Sequence, residues 1–445
     1  MTDTTTDREA WLGRASRNPE IEQAMFGGAV PGAAELPLAE INPLNPHLFR
    51  GDRWQDHFAR LRSEDPVHFN ELGSAGRYWS ITKWQDIRDV ESDADTFSSA
   101  HGITIGRPVT ADIASVNPES VNAASMQSFI SMDPPDHGDQ RKTVQPMLML
   151  SSLGDLEGLI RERAIDVLDR LPEGETFDWV DTVSVELTTL MLATLFDFPL
   201  EDRRKLTRWS DVATSTPEPG GLVESGTQRR EELAECLAYF ERLYEQKRDD
   251  PGHDLVSMLV HGDATGAMPM ASHLGNLLLL IVGGNDTTRN TMSGSVYALN
   301  KFPKQYEKLN ANPDLIANFV PEIIRWQTPL SYMRRTATRD CVLGDKELQA
   351  NDQVLLWYIS GNRDEDVFDN AAALDIERPN THKQLSFGYG IHYCVGSRLA
   401  EMQLRILWEE ILKRFERIEL VGEPERTFSS FIHGYTEMPV QVTRR

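Results

Sequence analysis

Cys394 stands in FGYGIHYCVGSRLA, Phe387 to Ala400, hemmed by glycines and followed at once by an amphipathic helical pattern. Leu399, Ala400, Leu404, Leu407, Ile411, Leu412 and Phe415 recur at helical spacing, so a buried helix is expected to begin near Gly396. The cysteine then lies just before the positive end of that helix. Backbone N–H groups of the turn and the helix dipole both favour an anionic sulfur, the form that ligates metal. This suits an exposed metal-binding thiolate. Gly388, Gly390 and Gly396 allow a flat cofactor to approach the backbone closely.

A second chemical pair lies upstream. The apolar run Leu277 to Val282 leads into Gly283-Gly284-Asn285-Asp286-Thr287-Thr288, and no proline interrupts Ala271 to Phe302, which predicts one long central helix. Two glycines in mid-helix cost about 1 kcal/mol each relative to alanine and so need a packing or functional reason. The acid–alcohol pair Asp286-Thr287 beside them supplies one, a group able to carry a proton. In MDPPDHGDQR, His137 and Arg141 fall at i and i+4 on one helical face, where both could reach an anionic cofactor edge. Glu322 and Arg325, at i and i+3 in a helix expected from about Asp314 to Trp326, can pair.

The pattern Phe387-x-x-Gly390-x-His392-x-Cys394-x-Gly396-x-x-Leu399-Ala400 resembles the haem-binding loop of cytochrome P450. The resemblance implies haem b (iron protoporphyrin IX) with Cys394 as proximal iron ligand, Phe387 packed over the sulfur, and O2 as co-substrate. Thiolate ligation favours O–O cleavage. By the same resemblance His392 and Arg335 partner haem propionates, joining His137 and Arg141. Asp286-Thr287 matches the family's oxygen-activation motif, with Gly283 where alanine is commoner. Glu322-x-x-Arg325 matches an internal ion triad completed by Arg378. The implied fold is mainly α with a small β region, a single cytochrome P450 haem domain over 42–445 preceded by a partly ordered N-terminal arm, 1–41.

The elements that must position these groups are legible in outline. Helical periodicity marks Leu156 to Leu171, Val183 to Phe196 and Arg229 to Arg248, and strands are expected at Val67 to Asn70, Tyr78 to Thr82 and Gln353 to Ile359. Residues from about Ala100 to Ser128 and from Thr214 to Gly226 read as long mobile loops able to gate a pocket. Three cysteines make no disulfide framework. MTDTTTDREAW lacks the basic start and apolar core of an export signal, and no segment approaches 20 apolar residues, so a cytoplasmic chain without a membrane anchor is expected. A net charge of −24 argues against nucleic acid.

Against that acidic background, Arg378, His382, Lys383, Arg398 and Arg405 cluster in sequence around the cysteine loop, with Arg141 and Lys142 as spatial candidates. The patch is read as a dock for an acidic electron donor, a ferredoxin with its NAD(P)H-dependent reductase. The strings LIVGGNDTTRN, EIIRWQTPLSYMRR, WYISGNRDE and LRILWEEILKRFERIEL look like the bacterial alkane and fatty-acid ω-hydroxylase branch. A small hydrophobic substrate is expected, with a pocket lined by Leu279, Val282, Gly283, Leu330, Met333 and Phe431. The expected reaction is terminal hydroxylation of medium-length alkanes or fatty acids. The alternatives are a hydroxylase of a terpene or other compact hydrophobe, and a haem-thiolate ligand sensor that does not turn over.

Overall fold

The long proline-free stretch forms one helix, Met270–Lys301, and the other helices pack around it. The computed structural model describes residues 30–72, 76–105, 127–215, 217 and 220–445. The expected N-terminal arm therefore lies outside the described residues up to 29. Of the two expected gating loops, 106–126 and 216, 218 and 219 also lie outside them.

In chain order the elements that frame the site are α1 (Trp84–Ser92), α2 (Asp136–Val144), α3 (Glu186–Phe196), α4 (Arg203–Thr214), α5 (Met270–Lys301), α6 (Ile316–Gln327), α7 (Tyr358–Gly361) and α8 (Ser397–Arg414). Helix α3 continues from a wider-pitched π turn, Val180–Val185, so the helical stretch starts earlier than its apolar periodicity suggested. Helix α6 stops where Thr328 adopts a left-handed backbone (φ 42°) and its hydroxyl returns 2.6 Å to the Arg325 carbonyl. Pro329 follows, which cannot continue the helix. Helix α8 begins directly after Gly396, and Leu399, Leu404, Leu407, Ile411 and Leu412 are all buried.

One mixed sheet of five strands flanks the helices. Its strands are β1 (Val67–Leu72), β2 (Gly76–Ile81), β3 (Phe97–Ser98), β4 (Met333–Ala337) and β5 (Gln353–Leu356), in the order β1-β2-β5-β4-β3. Antiparallel β4 and β5 set Met333 opposite Leu356 and Arg335 opposite Val354. Alternation decides which core each side chain joins. Trp79, Ile81, Val354 and Leu356 pack into one cluster, while Tyr78 and Leu355 pack into another with Trp357 and Ile359. The expected strand from Gln353 to Ile359 is shorter than predicted: it ends at Leu356, and Tyr358–Gly361 turns into α7. Among the described residues no helix is long and apolar enough to cross a membrane.

Candidate active site

Helix α5 and the loop before α8 face each other across a largely apolar cavity. From α5 it is lined by Leu279, Gly283, Gly284 and Thr287, and from the loop by Phe387 and Cys394. The two glycines of α5 differ in what they do. A Cβ on Gly284 would come within 2.8 Å of Leu192 on α3, whereas one on Gly283 would meet nothing within 4 Å. Gly284 therefore serves helix packing, and Gly283 leaves the cavity open. The Thr287 hydroxyl donates 2.7 Å to the Gly283 carbonyl one turn back.

Cys394 is half-buried, and its N–H donates to the Phe387 carbonyl at 2.8 Å. Burial pushes its thiol above the ordinary value, while the N–H groups of Gly396 and Ser397 and the Arg141 charge pull it down. Burial wins, so the sulfur is less exposed and less acidic than the loop sequence suggested. The turn alone does not create a thiolate, and a coordinated metal cation would complete the deprotonation. Among the described residues no group of three or more His, Cys, Asp and Glu could hold a bare metal ion. A single sulfur donor suits a metal whose other ligands arrive with it.

Around the cavity edge stand Arg141, Arg335 and His392. His137 is buried behind them, its ring centroid 4.1 Å from that of His392. Burial lowers His392 to about 2, reinforced by Arg335, His137 and Arg141, and burial also lowers His137. Both imidazoles are neutral. His137 Nε2 and both ring nitrogens of His392 lack a well-formed hydrogen bond, although the Met132 carbonyl raises His392 slightly. Orphaned buried nitrogens beside two guanidinium groups call for an anionic acceptor. The propionate edge of haem supplies one, and Gly388 and Gly396 line the cavity while Gly390, contrary to expectation, makes room for α1 instead, so the residues present fit the cofactor.

Asp286 is not on the cavity wall. It is fully buried and faces α4, accepting from the Thr214 hydroxyl at 3.0 Å, from Asn285 at 3.2 Å and from Arg289 at 2.8 Å. Arg289 also pairs with Asp211. Burial raises the Asp286 carboxyl to about 6 against the pull of Arg289. Helical phase explains the placement: Leu279, Gly283 and Thr287 repeat every fourth residue on one face, and Val282 and Asp286 occupy the next.

The same phase corrects part of the expected pocket. Leu279, Gly283, Leu330 and Met333 line the cavity, but Val282 does not. Phe431 is also absent from the wall, being packed edge-on against Tyr332 at 5.4 Å in the cluster below the sheet. Phe129, Ile130, Met191, Leu195 and Leu255 supply wall that sequence reasoning missed. They come from distant segments, and nothing local distinguishes them from core.

Glu322 and Arg325 are wholly buried and doubly bonded at 2.8 Å, and Arg378 reaches both Glu322 oxygens at 3.1 Å. The expected triad is present. Arg378 is therefore lost to the basic patch, as is Arg405, which is tied to Glu157 and Glu409. Arg141 turns inward to the cavity and the Tyr393 carbonyl. His382, Lys383, Arg398 and Lys142 remain exposed, Arg398 pairing with Glu401 at 3.5 Å and Lys142 with Asp139 at 3.0 Å, and the loop also exposes the apolar side chains Tyr389, Ile391 and Tyr393.

Comparison with known proteins agrees with this geometry. Residues 227–439 match the model of the family described as cytochrome P450. The chain is 35% identical over 400 residues to linalool 8-monooxygenase of Pseudomonas putida, covering 89% of this chain and 97% of that protein. It is 31% identical over 422 residues to the methyl-branched lipid omega-hydroxylase of Mycobacterium tuberculosis, covering 91% and 95%. Among solved structures, CYP153D17 from Sphingomonas sp. PAMC 26605 superposes with a TM-score of 0.83 at 48% identity, covering 92% of this chain and 100% of that one. Cytochrome P450-153 from Novosphingobium aromaticivorans gives 0.81 at 45% identity, covering 90% and 99%.

Proposed function

The chain belongs to the cytochrome P450 family and is a haem b-dependent monooxygenase, and we propose that it hydroxylates the terminal carbon of medium-length alkyl chains with electrons from a ferredoxin. The observation that carries this reading is the cavity wall. Leu279, Gly283, Leu330 and Met333 offer no charge to a substrate, and the cations that do reach the cavity are at the haem edge. Such a wall selects a hydrocarbon tail. Resemblance to the alkane and fatty-acid branch supports the same substrate class, as does the relative named for ω-hydroxylation of methyl-branched lipids. A terminal C–H bond is stronger than its neighbour, so selectivity must come from geometry that presents only the chain end. Titration of the haem spin state with n-alkanes, fatty acids, primary alcohols and terpenes tests this. Straight-chain ligands should shift the Soret band, and a response to terpenes alone would transfer the reading to a compact hydrophobe.

Haem bound in this cavity would supply the oxygen chemistry, in which O2 with two electrons from the donor and two protons gives one oxygen atom to a C–H bond and the other to water. The chain contributes position and protons. Cys394 would ligate the iron, and Arg141, Arg335 and His392 would hold the propionates, with His137 packed behind His392. Thr287 lines the cavity opposite Cys394, and its hydroxyl, which donates to the Gly283 carbonyl, would be available to bound oxygen. Asp286, its carboxyl raised to about 6 by burial, lies one helical face behind Thr287 and would exchange protons by way of the Thr214 hydroxyl and Asp211, while Arg289 pairs with both carboxylates. Asp286→Asn should therefore slow product formation about 100-fold, the scale of one lost acid–base group. Substrate-induced spin shift should stay intact, because Asp286 is off the wall. Thr287→Ala should lower product formed per NADH consumed. A wild-type yield from Thr287→Ala would contradict the assignment, whereas equal silence of both proteins under working electron transfer would favour a ligand sensor.

The ferredoxin would dock on the face below Cys394. Tyr389, Ile391 and Tyr393 form an exposed apolar centre, and Lys142, Lys383 and Arg398 give it positive charge on an otherwise acidic protein. Arg88 joins it, stacked on Tyr389 at 4.0 Å and on Trp84 at 4.6 Å. Charge reversal by Lys383→Glu or Arg398→Glu should slow reduction by an acidic ferredoxin about tenfold at low salt and flatten its salt dependence, leaving substrate binding unchanged. Unchanged reduction kinetics across a salt series would contradict this surface.

A further inference from the structure

Glu91 is a charged residue on the apolar face of α1, at helical spacing from the buried Trp84 and Ile87. Its side chain is 1% exposed. Such a carboxylate is costly unless it is fully partnered, and here each oxygen is occupied. One oxygen accepts from Arg335 at 3.1 Å and from the Tyr358 hydroxyl. The other accepts from the Tyr389 N–H at 3.1 Å. These three donors lie on β4, α7 and the cysteine loop, the elements that bring Arg335, Tyr358 and Gly388 to the cavity. The main chain of Glu91 makes a further close approach. A Cβ at Gly390, where φ is 66°, would fall 2.3 Å from the Glu91 carbonyl, so only glycine admits α1 this close.

We propose that Glu91 is a positioning residue for the cofactor. It fixes the Arg335 guanidinium and the turn before Cys394 as one bonded unit, and it sets the charge at the propionate edge. The second Arg335 nitrogen donates to the Arg334 carbonyl at 2.8 Å, so the guanidinium is held from two sides and presents a fixed face to the cavity. The Glu91 charge acts on the haem through this pair. A carboxylate buried beside Arg335 cancels part of the positive field at the cofactor edge, and its loss would stabilise the reduced, more negative iron state.

The test is the ferric/ferrous potential of the purified holoprotein, measured by equilibrium dye titration. Glu91→Gln keeps the shape and an acceptor for Tyr358 or Tyr389 but removes the charge, and its potential should move to more positive values. Glu91→Asp keeps the charge and shortens the reach. Its potential should stay near that of wild type, while haem transfers severalfold faster to an excess of apomyoglobin. A purely structural role would lower stability in both variants without moving the potential of the haem-loaded fraction. A wild-type potential in Glu91→Gln would overturn the proposal. If Glu91→Gln fails to retain haem, Tyr358→Phe carries the test. Deleting a donor to Glu91 leaves its charge less compensated, so a more negative potential is expected and an unchanged one overturns the proposal.

Discussion

Cys394→Ser should abolish monooxygenation while leaving a haem-binding protein. The substitution keeps the backbone N–H on the Phe387 carbonyl and the start of α8, so the loop can fold as before. It also keeps His137, Arg141, Arg335 and His392, the residues proposed to hold the propionate edge. What is lost is the soft anionic ligand. The environment already leaves the thiol above its ordinary value, with Gly396, Ser397 and Arg141 only partly offsetting burial. A serine hydroxyl, far less acidic than a thiol, would stay protonated there and could not push electron density onto iron. The reduced carbon monoxide complex should lose its thiolate-type Soret band, and product should fall below detection with electron transfer intact. Retained turnover in Cys394→Ser would contradict the ligand assignment.

Glu322→Ala should be the most destabilising single change in the scaffold. Glu322 and Arg325 are fully buried, and the carboxylate accepts from Arg325, Arg378 and the Asp375 N–H. Arg325 further binds the carbonyls of Asn362, Ala371 and Ala373, and Arg378 those of Asp369 and Ala373. The triad thus ties α6 to the irregular chain that leads into the cysteine loop. Removing the anion leaves two guanidinium groups buried without a counter-charge, at a cost of about 3–5 kcal/mol. Thermal unfolding should show a large fall in Tm, and the haem-loaded yield should drop with it. A Tm within a degree or so of wild type would contradict the buried-triad account.

The parts of this protein legible in its sequence are those encoded locally. The cysteine loop, the amphipathic helix after it, the proline-free central helix and the Glu322–Arg325 spacing all place their residues by short-range geometry, and the structure has them where those rules put them. The errors are equally physical. Val282 shares an apolar helix with Leu279 and Gly283, yet helical phase moves it with Asp286 off the cavity wall. Phe431 satisfied composition, but Tyr332 claims it for a different cluster. Arg405 is taken from the basic patch by Glu157 and Glu409, and Arg378, present in the triad as expected, cannot also serve the surface patch. The walls from Phe129, Met191 and Leu255 depend on tertiary assembly alone. Glu91 is the exception: a carboxylate on an otherwise apolar helical face is a sequence signal, and its partners lie about 240 to 300 residues away.

Terminal oxidation of an unbranched chain is the central claim, and the positions of the products formed from n-octane test it most directly. The holoprotein, supplied with a surrogate ferredoxin, its reductase and NADH, should yield 1-octanol as the main product, because in the proposed reading Leu279, Gly283, Leu330 and Met333, which line the cavity, would confine the chain and present its end to the iron. Predominant subterminal octanols, or no octanol from a preparation that turns over linalool, would contradict it.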